Sequence, residues 1–290
     1  MKLFAQMVCS LAVATASTIG CHNAAAGDAP KKVLFFSKSS GYEHSMIHQA
    51  KGQPSAAEKI LAELGKKNNI DFTFTKDGAV FTPENMARYD AFCFYTTGDL
   101  TQLGGDHNPP MSKEGKAAFL EAIHNGKGFV GIHSATDTFD TGHQEVDPYI
   151  KMIGAEFIIH GAQQKAHQIV VDKSFPGMSA VPDDFAPLEE WYTLKNFSPN
   201  LHVLLAQDTG SMNRQGPYNR PNYPSTWAQM YGKGRAFYTS MGHRDDVWAN
   251  PVFQQVLVGG LKWAVGDVDA DVTPNIETAT PQANTLQPGA

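Results

Sequence analysis

Phe129-Val130-Gly131-Ile132-His133-Ser134-Ala135-Thr136-Asp137 reads as a short, wholly apolar run that passes without a loop into polar residues. A strand that is apolar at every position is buried on both faces, the habit of parallel sheets covered by helices. Residues 131–135 also have the outline of a strand–turn–helix elbow. There a glycine before and a small residue after let a sharp turn present the central side chain, here His133. A hydrolase elbow carries Ser or Cys at that centre. His133 removes such a nucleophile, and Ser134 beside it points elsewhere if the turn is the usual one.

Working outward, apolar runs recur at 33–37 and 91–96, and 71–75 alternates like a strand. Helical segments separate them. One starts near Pro54, carries Ile60, Leu61 and Leu64 at helical spacing and stops at the polar 65–69. A second starts at Thr82-Pro83-Glu84. A third is capped by Ser112, shows Ala118, Phe119, Ala122 and Ile123 on one face, and ends at Asn125-Gly126. Beyond the elbow, residues 168–171, 203–206, 227–231 and 236–240 have β character, and a last helix is expected over 251–265. The alternation implies a single α/β domain: a mostly parallel sheet with helices on both faces, over residues 31–266. Residues 267–290 are rich in Thr, Pro and Asp without apolar periodicity and read as a disordered tail.

The first 26 residues read as an export signal: Lys2 supplies the positive start, and 4–19 carry no charge. Two processing sites compete. Ala24-Ala25-Ala26 fits ordinary cleavage, whereas Thr18-Ile19-Gly20-Cys21 resembles a bacterial lipobox with Cys21 as the acylated residue. Either way the expected location is outside the cytoplasm, periplasmic or held to a membrane as a lipoprotein, and a lipid on Cys21 is the one membrane contact expected. Cys93 then remains alone inside an apolar strand, where cysteine acts as a small hydrophobe.

The net charge of −6, from 23 basic and 29 acidic residues, and the lack of any long basic run exclude a nucleic-acid footprint. Gly104-Gly105 and Gly259-Gly260 lack the pattern of phosphate-binding loops, which argues against nucleotide cofactors.

Ligands of open parallel sheets bind beyond the carboxyl ends of the strands. The residues after the apolar runs are therefore the candidates: Ser39 to His44 after the first, Tyr95 to Asp99 after the third, His133 to Asp137 after the fourth, and Gly242-His243-Arg244-Asp245 after 236–240. His44, His133 and His243 fall together at one sheet edge. Asp137 is placed to orient His133, and Asp245 to orient His243. His160 is a further candidate, and Glu190, beside Trp191 and Tyr192, has the look of a sugar-contacting carboxylate.

The segments Gly131-Ile132-His133-Ser134-Ala135-Thr136-Asp137-Thr138-Phe139, Glu190-Trp191-Tyr192, and Gly232-Lys233-Gly234-Arg235-Ala236-Phe237-Tyr238-Thr239 followed by Gly242-His243 resemble the ThuA (trehalose-utilisation) family, over about residues 31–266. The resemblance implies a fold like that of class I glutamine amidotransferases, flavodoxin-like in outline. Those enzymes place Cys at the elbow and His-x-Glu after a late strand. Here His133 and His243-Arg244-Asp245 stand in those places, so glutaminase activity is not carried over.

The family's association is with disaccharide catabolism through 3-keto sugars. It implies a small-molecule carbohydrate as partner and a hydrolase, lyase or isomerase working by acid–base chemistry. His133, His243, Glu190 and His44 are then the catalytic candidates, and Ser134, Asp137, His160, Trp191 and Asp245 the substrate-binding ones. A non-catalytic carbohydrate-binding protein, or a structural partner in a surface complex, is the alternative. No cofactor is expected. The rival reading is a divalent metal held among His44, His133, His160, Glu190 and His243, although no local His-x-x-x-His spacing supports it.

Overall fold

A computed structural model describes residues 29–140, 145–213 and 216–286. Four early strands, β1 (Lys31–Phe36), β2 (Ile70–Thr75), β3 (Ala91–Phe94) and β4 (Gly128–Ile132), pair in parallel in the order β2-β1-β3-β4. The short strands β5 (Glu156–His160), β6 (Gln164–Lys165), β7 (Gln168–Val170), β8 (Leu188–Glu189) and β9 (Tyr192–Lys195) follow in the chain, then β10 (His202–Gln207), β11 (Tyr223–Tyr231) and β12 (Gly234–Thr239). β12 inserts beside β4 as a fifth parallel strand, and β11, β10 and β7 continue the sheet antiparallel.

Side-chain alternation divides the apolar strands between two cores. Val33, Phe35, Val130, Ile132 and Phe237 face one side. Leu34, Phe36, Phe92, Phe94, Phe129 and Tyr238 face the other. Helices α1 (Ala56–Asn68) and α6 (Pro251–Ala264) cover the first face, with Leu61, Leu257 and Leu261 buried on it. Helices α3 (Lys113–His124) and α4 (Pro148–Ile153) cover the second with Phe119, Ile123, Ile150 and Ile153. The short helices α2 (Pro83–Met86), α5 (Asp245–Ala249) and α7 (Ile276–Ala279) complete the set among the described residues. Each buried Leu, Ile or Phe contributes roughly 1.5–3 kcal/mol against exposure, so the two faces dominate stability.

The expected single α/β domain with a mostly parallel, doubly covered sheet is the observed one. Local signals place its helices. Ser55 Oγ accepts from Glu58 N (3.2 Å) while Glu58 returns a carboxylate oxygen to Ser55 N (2.6 Å), a capping box that starts α1. The helix ends at Asn68, within the expected 65–69 stop, and runs through Gly65 on the way. A Cβ there would meet Ile70 O at 2.5 Å and the Phe72 ring at 2.9 Å, so this glycine lets α1 lie close on β2 instead of ending it.

The C-terminal segment corrects an expectation. Residues 267–286 are packed, not disordered. Asn275 accepts from Val203 N (2.6 Å) and donates to Val203 O (3.2 Å), and Asn284 does the same to Phe197 (2.9 and 3.2 Å). Two side-chain amides thus mimic a paired strand on β10 and on the turn before it, and Ile276 and Ala283 bury behind them. That attachment uses polar side chains at irregular spacing, which no hydrophobic period reveals. The proposed signal over 1–26, including Cys21, lies outside the described residues. No helix among the described residues is long and apolar enough to cross a membrane. Cys93 is fully buried, and burial pushes its thiol well above the ordinary range, as a small hydrophobe in a strand requires.

Candidate functional site

β4 and β12 run side by side, with Ile132 opposite Thr239, so their carboxyl ends emerge together. The chain leaving β4 turns at once: His133 has φ +45°, a left-handed backbone uncommon outside glycine. This is the expected elbow, and Gly131 permits it, because a Cβ there would meet Ile153 at 2.9 Å and Ala135 at 3.2 Å. The turn does not present His133 to solvent. Its ring is fully buried, 4.2 Å from the Tyr192 ring centroid.

His133 Nδ1 lies 2.9 Å from Ser240 O. A carbonyl only accepts, so Nδ1 carries a hydrogen and is committed to Ser240, which leaves Nε2 as the ring nitrogen that faces the cluster. Nε2 has no hydrogen-bond partner and faces Glu190 Oε1 at 3.7 Å.

Three further side chains close on that point. His243, past the end of β12, brings Nδ1 to 3.2 Å from Glu190 Oε1 without hydrogen-bond geometry. His44 follows the loop after β1 and packs its ring 5.0 Å from that of His133 and 5.3 Å from that of His243. Its Nδ1 is buried without a partner, and its Nε2 lies 3.4 Å from the Tyr192 hydroxyl. Glu190 enters between β8 and β9. One ligand-type atom from each of His44, His133, Glu190 and His243 lies within 4.8 Å of all the others.

The electrostatics match the geometry. Burial, reinforced by the His133 and His243 rings, lowers the His44 pKa to about 2, so this ring is neutral near pH 7. Burial opposes ionisation of Glu190, but His133 and His243 outweigh it and hold the carboxyl well below its usual range. The neutral His44 ring and the ionised Glu190 carboxylate supply a lone pair and a negative charge that a divalent cation takes.

Above the cluster opens a cavity of about 510 Å³, within the ~300–1,000 Å³ of small-molecule sites. Tyr42, Phe157 and Tyr192 give it aromatic walls, and Asp137, His160 and Gln163 give it polar ones. His160 sits opposite Tyr192 in the β5–β9 pair and brings Nδ1 to 3.4 Å from Glu190 Oε2. Behind the cluster, buried Glu189 accepts backbone N–H groups from Gly242 (2.8 Å), His243 (3.1 Å) and Glu190 (2.8 Å).

The structure thus brings together His44, His133, Glu190 and His243, with His160 and Asp137 on the cavity wall. Four expected contacts are corrected. Asp137 does not orient His133, whose Nδ1 is held by Ser240. Asp245 opens α5 at the surface, where its carboxylate accepts from Asp246 N, and does not reach His243. Trp191 is fully buried in the core and donates to Gln164 O, because strand alternation turns it away from the side that Glu190 and Tyr192 share. Ser134 is buried and does not line the cavity.

The sequence reading missed Phe157 and Gln163 as lining and Glu189 as a brace; Tyr42 fell within the Ser39 to His44 candidates, and Tyr192 was noted only as a neighbour of Glu190. Alternation through 190–192 would have separated Tyr192 from Trp191. Phe157 lies on β5 and Gln163 in the connection from β5 to β6, a segment with no distinctive sequence signal.

Comparison with known proteins follows this geometry. The family model described as trehalose utilisation, ThuA, matches residues 32–264. Among solved structures, a ThuA-like protein from Bacteroides uniformis is similar with TM-score 0.66 and 21% identity, over 87% of this chain and 98% of that one. A ThuA-like protein from Parabacteroides merdae has TM-score 0.60 and 18% identity, over 89% and 96%. A cytoplasmic protein of Salmonella typhimurium LT2 has TM-score 0.54 and 16% identity, over 82% and 100%. No curated protein matches the chain.

Proposed function

The chain belongs to the ThuA family of trehalose utilisation, and on that premise we propose that it is a divalent-cation-dependent enzyme of carbohydrate metabolism. The cation is held by His44, His133, Glu190 and His243. One observation carries this reading: one ligand atom from each of His44, His133, Glu190 and His243 lies within 4.8 Å of the other three, and each of the three rings has a buried nitrogen without a hydrogen-bond partner. Buried polar atoms are nearly always satisfied, and leaving one bare costs about 1–3 kcal/mol, so three in one cluster call for a shared partner.

The donors suit zinc or another first-row divalent ion. Tetrahedral bonds of about 2.0–2.1 Å would set ligand atoms roughly 3.3 Å apart, and the distances to Glu190 Oε1 are 3.2 and 3.7 Å.

The substrates we propose are disaccharides or 3-keto glycosides, converted by hydrolysis, elimination or isomerisation. A bound cation polarises a carbonyl oxygen. Tyr42 and Phe157 offer apolar faces to a sugar ring, and Gln163, Asp137 and His160 offer partners to its hydroxyls. Glutamine hydrolysis is not part of the reading, because the elbow carries His133. Export is proposed from the positive start and uncharged run of residues 1–26.

The test is turnover of disaccharides and their 3-keto derivatives by purified protein, before and after exhaustive chelation. The expected result is turnover that chelation abolishes and added zinc or manganese restores. Turnover untouched by chelation, or none with any saccharide, would sink the proposal.

A further inference from the structure

Once His44, His133, Glu190 and His243 are committed to a cation, none of them is free to move protons, and that work falls to the other side chains facing the cavity. Gln163 does not titrate. Burial pushes the Tyr192 hydroxyl well above its ordinary range. Tyr42 is 69% exposed at the rim. His160 has its Nδ1 engaged between Gly161 O (3.1 Å) and Glu190 Oε2 (3.4 Å). Asp137 remains.

We propose that Asp137 is the catalytic acid–base residue of this site, taking a proton from a carbon or hydroxyl of the bound sugar and giving it back at a second position. The assignment rests on the cation-dependent carbohydrate reading above. Its geometry is that of a rigid mount with a free carboxylate. Asp137 ends the tight turn that begins at His133. Its carbonyl accepts from Gly98 N (2.6 Å), Phe139 N returns to Gly98 O (3.2 Å), and the next side chain, Thr138, is hydrogen-bonded to Thr96 (2.8 Å).

The Asp137 carboxylate, in contrast, accepts no hydrogen bond from any described residue and lines the cavity. A half-buried carboxylate that faces a cavity and takes no donor from the described residues is placed to meet a donor of the bound substrate. Burial first, then the neighbouring Asp140, raises its pKa to about 7, with His160 opposing. A group poised near neutrality serves both directions of proton transfer. Asp140 and His160 are the titratable groups that act on it.

The chemistry balances without a co-reactant. A hydrogen on the carbon beside a sugar carbonyl leaves as a proton to the carboxylate, its bonding pair forms the C=C bond, and the carbonyl π pair moves to oxygen. In the resulting enediolate the hydroxyl proton of that carbon passes to the former carbonyl oxygen, and its oxygen forms the new C=O. The C=C pair takes the proton back from Asp137 at the former carbonyl carbon, which completes an isomerisation. In an elimination the enolate oxygen re-forms the C=O bond and the C=C pair moves to the bond between the α- and β-carbons. The β-oxygen leaves with its bonding pair and takes the proton from Asp137.

The test uses full-length protein loaded with zinc, the 3-keto derivative of trehalose as probe, and proton NMR in D₂O to follow exchange beside the carbonyl above the uncatalysed rate. Zinc content is measured on every sample. Asp137→Asn is expected to slow exchange by about 10²- to 10⁴-fold with zinc content unchanged, and Asp137→Glu to recover part of the rate. Glu190→Gln is expected to lose zinc and exchange together. Asp137→Asn that exchanges at the wild-type rate, or that loses zinc, overturns the Asp137 assignment and leaves the cation-dependent reading standing. Absence of exchange by the zinc-loaded wild type overturns both.

Discussion

Glu189 Oε2 accepts the backbone N–H of His243 at 3.1 Å, and this bond fixes where the His243 ring meets Glu190. Two adjacent glutamates therefore divide the labour. Glu190 faces the cluster, and Glu189, at the end of β8, faces away and staples the loop after β12 to the segment that carries Glu190. Burial raises the Glu189 pKa, while His133, His243 and the N–H donors from Gly242 and Glu190 favour its ionised form.

Replacing Glu189 by Gln removes one acceptor oxygen without changing volume. Groups that orient ligands typically contribute about 10- to 100-fold in metal affinity. Zinc binding to Glu189→Gln, followed by competition with a fluorescent chelator, should weaken by that factor while the far-ultraviolet circular dichroism stays unchanged. An unaltered zinc affinity would show that the staple does not position His243.

Asp137 makes stability depend on pH in a stated direction. Its folded pKa is raised to about 7, above the unfolded value near 4. The contribution is fully present below about pH 4 and is lost as pH rises through 7, a penalty of up to about 4 kcal/mol at pH 8. Asp137→Asn should therefore gain melting temperature over the wild type at pH 8 and show little gain at pH 4. Equal shifts at both pH values would contradict a raised pKa at this position.

The C-terminal segment should behave as part of the domain. Asn275→Ala leaves the buried N–H and C=O of Val203 without their partner, at about 1–3 kcal/mol. With about 2–4 °C per kcal/mol for a domain of this size, thermal melting should fall by several degrees. Truncation after Gly266 should lower it further. A truncated protein melting with the full chain would mean that 267–286 contributes nothing.

How much of this was legible beforehand follows from which forces placed each element. Strands 33–37, 91–96 and 129–132 were visible because they are buried on both faces, and the joint arrival of His44, His133 and His243 follows from sheet topology alone. Glu190 joins them through the β5–β9 pair, a long-range contact with no local period. Asp137 and Asp245 were assigned by proximity in sequence to a histidine, but a φ of +45° at His133 and the start of α5 at Asp245 send their carboxylates elsewhere. The tail was hidden for the same reason as the cluster: polar side chains hold it by pairing at a distance.

The elbow also predicts an absence that can be measured. His133 Nδ1 is held by Ser240 O and Nε2 points into the cluster, so nothing at this turn can form a thioester with an amide substrate. Purified protein should release no ammonia from glutamine, measured by coupled glutamate dehydrogenase assay. Release that disappears in His133→Ala would contradict the reading of the turn.

If His44, His133, Glu190 and His243 together hold one divalent cation, titration calorimetry of the chelator-stripped protein with zinc reads out that occupancy. The expected result is one zinc per chain, proton release that reflects ligand deprotonation, and loss of that site in His133→Ala and Glu190→Gln, each still folded by circular dichroism. No stoichiometric uptake by the wild type, or uptake unchanged in both variants, would contradict it.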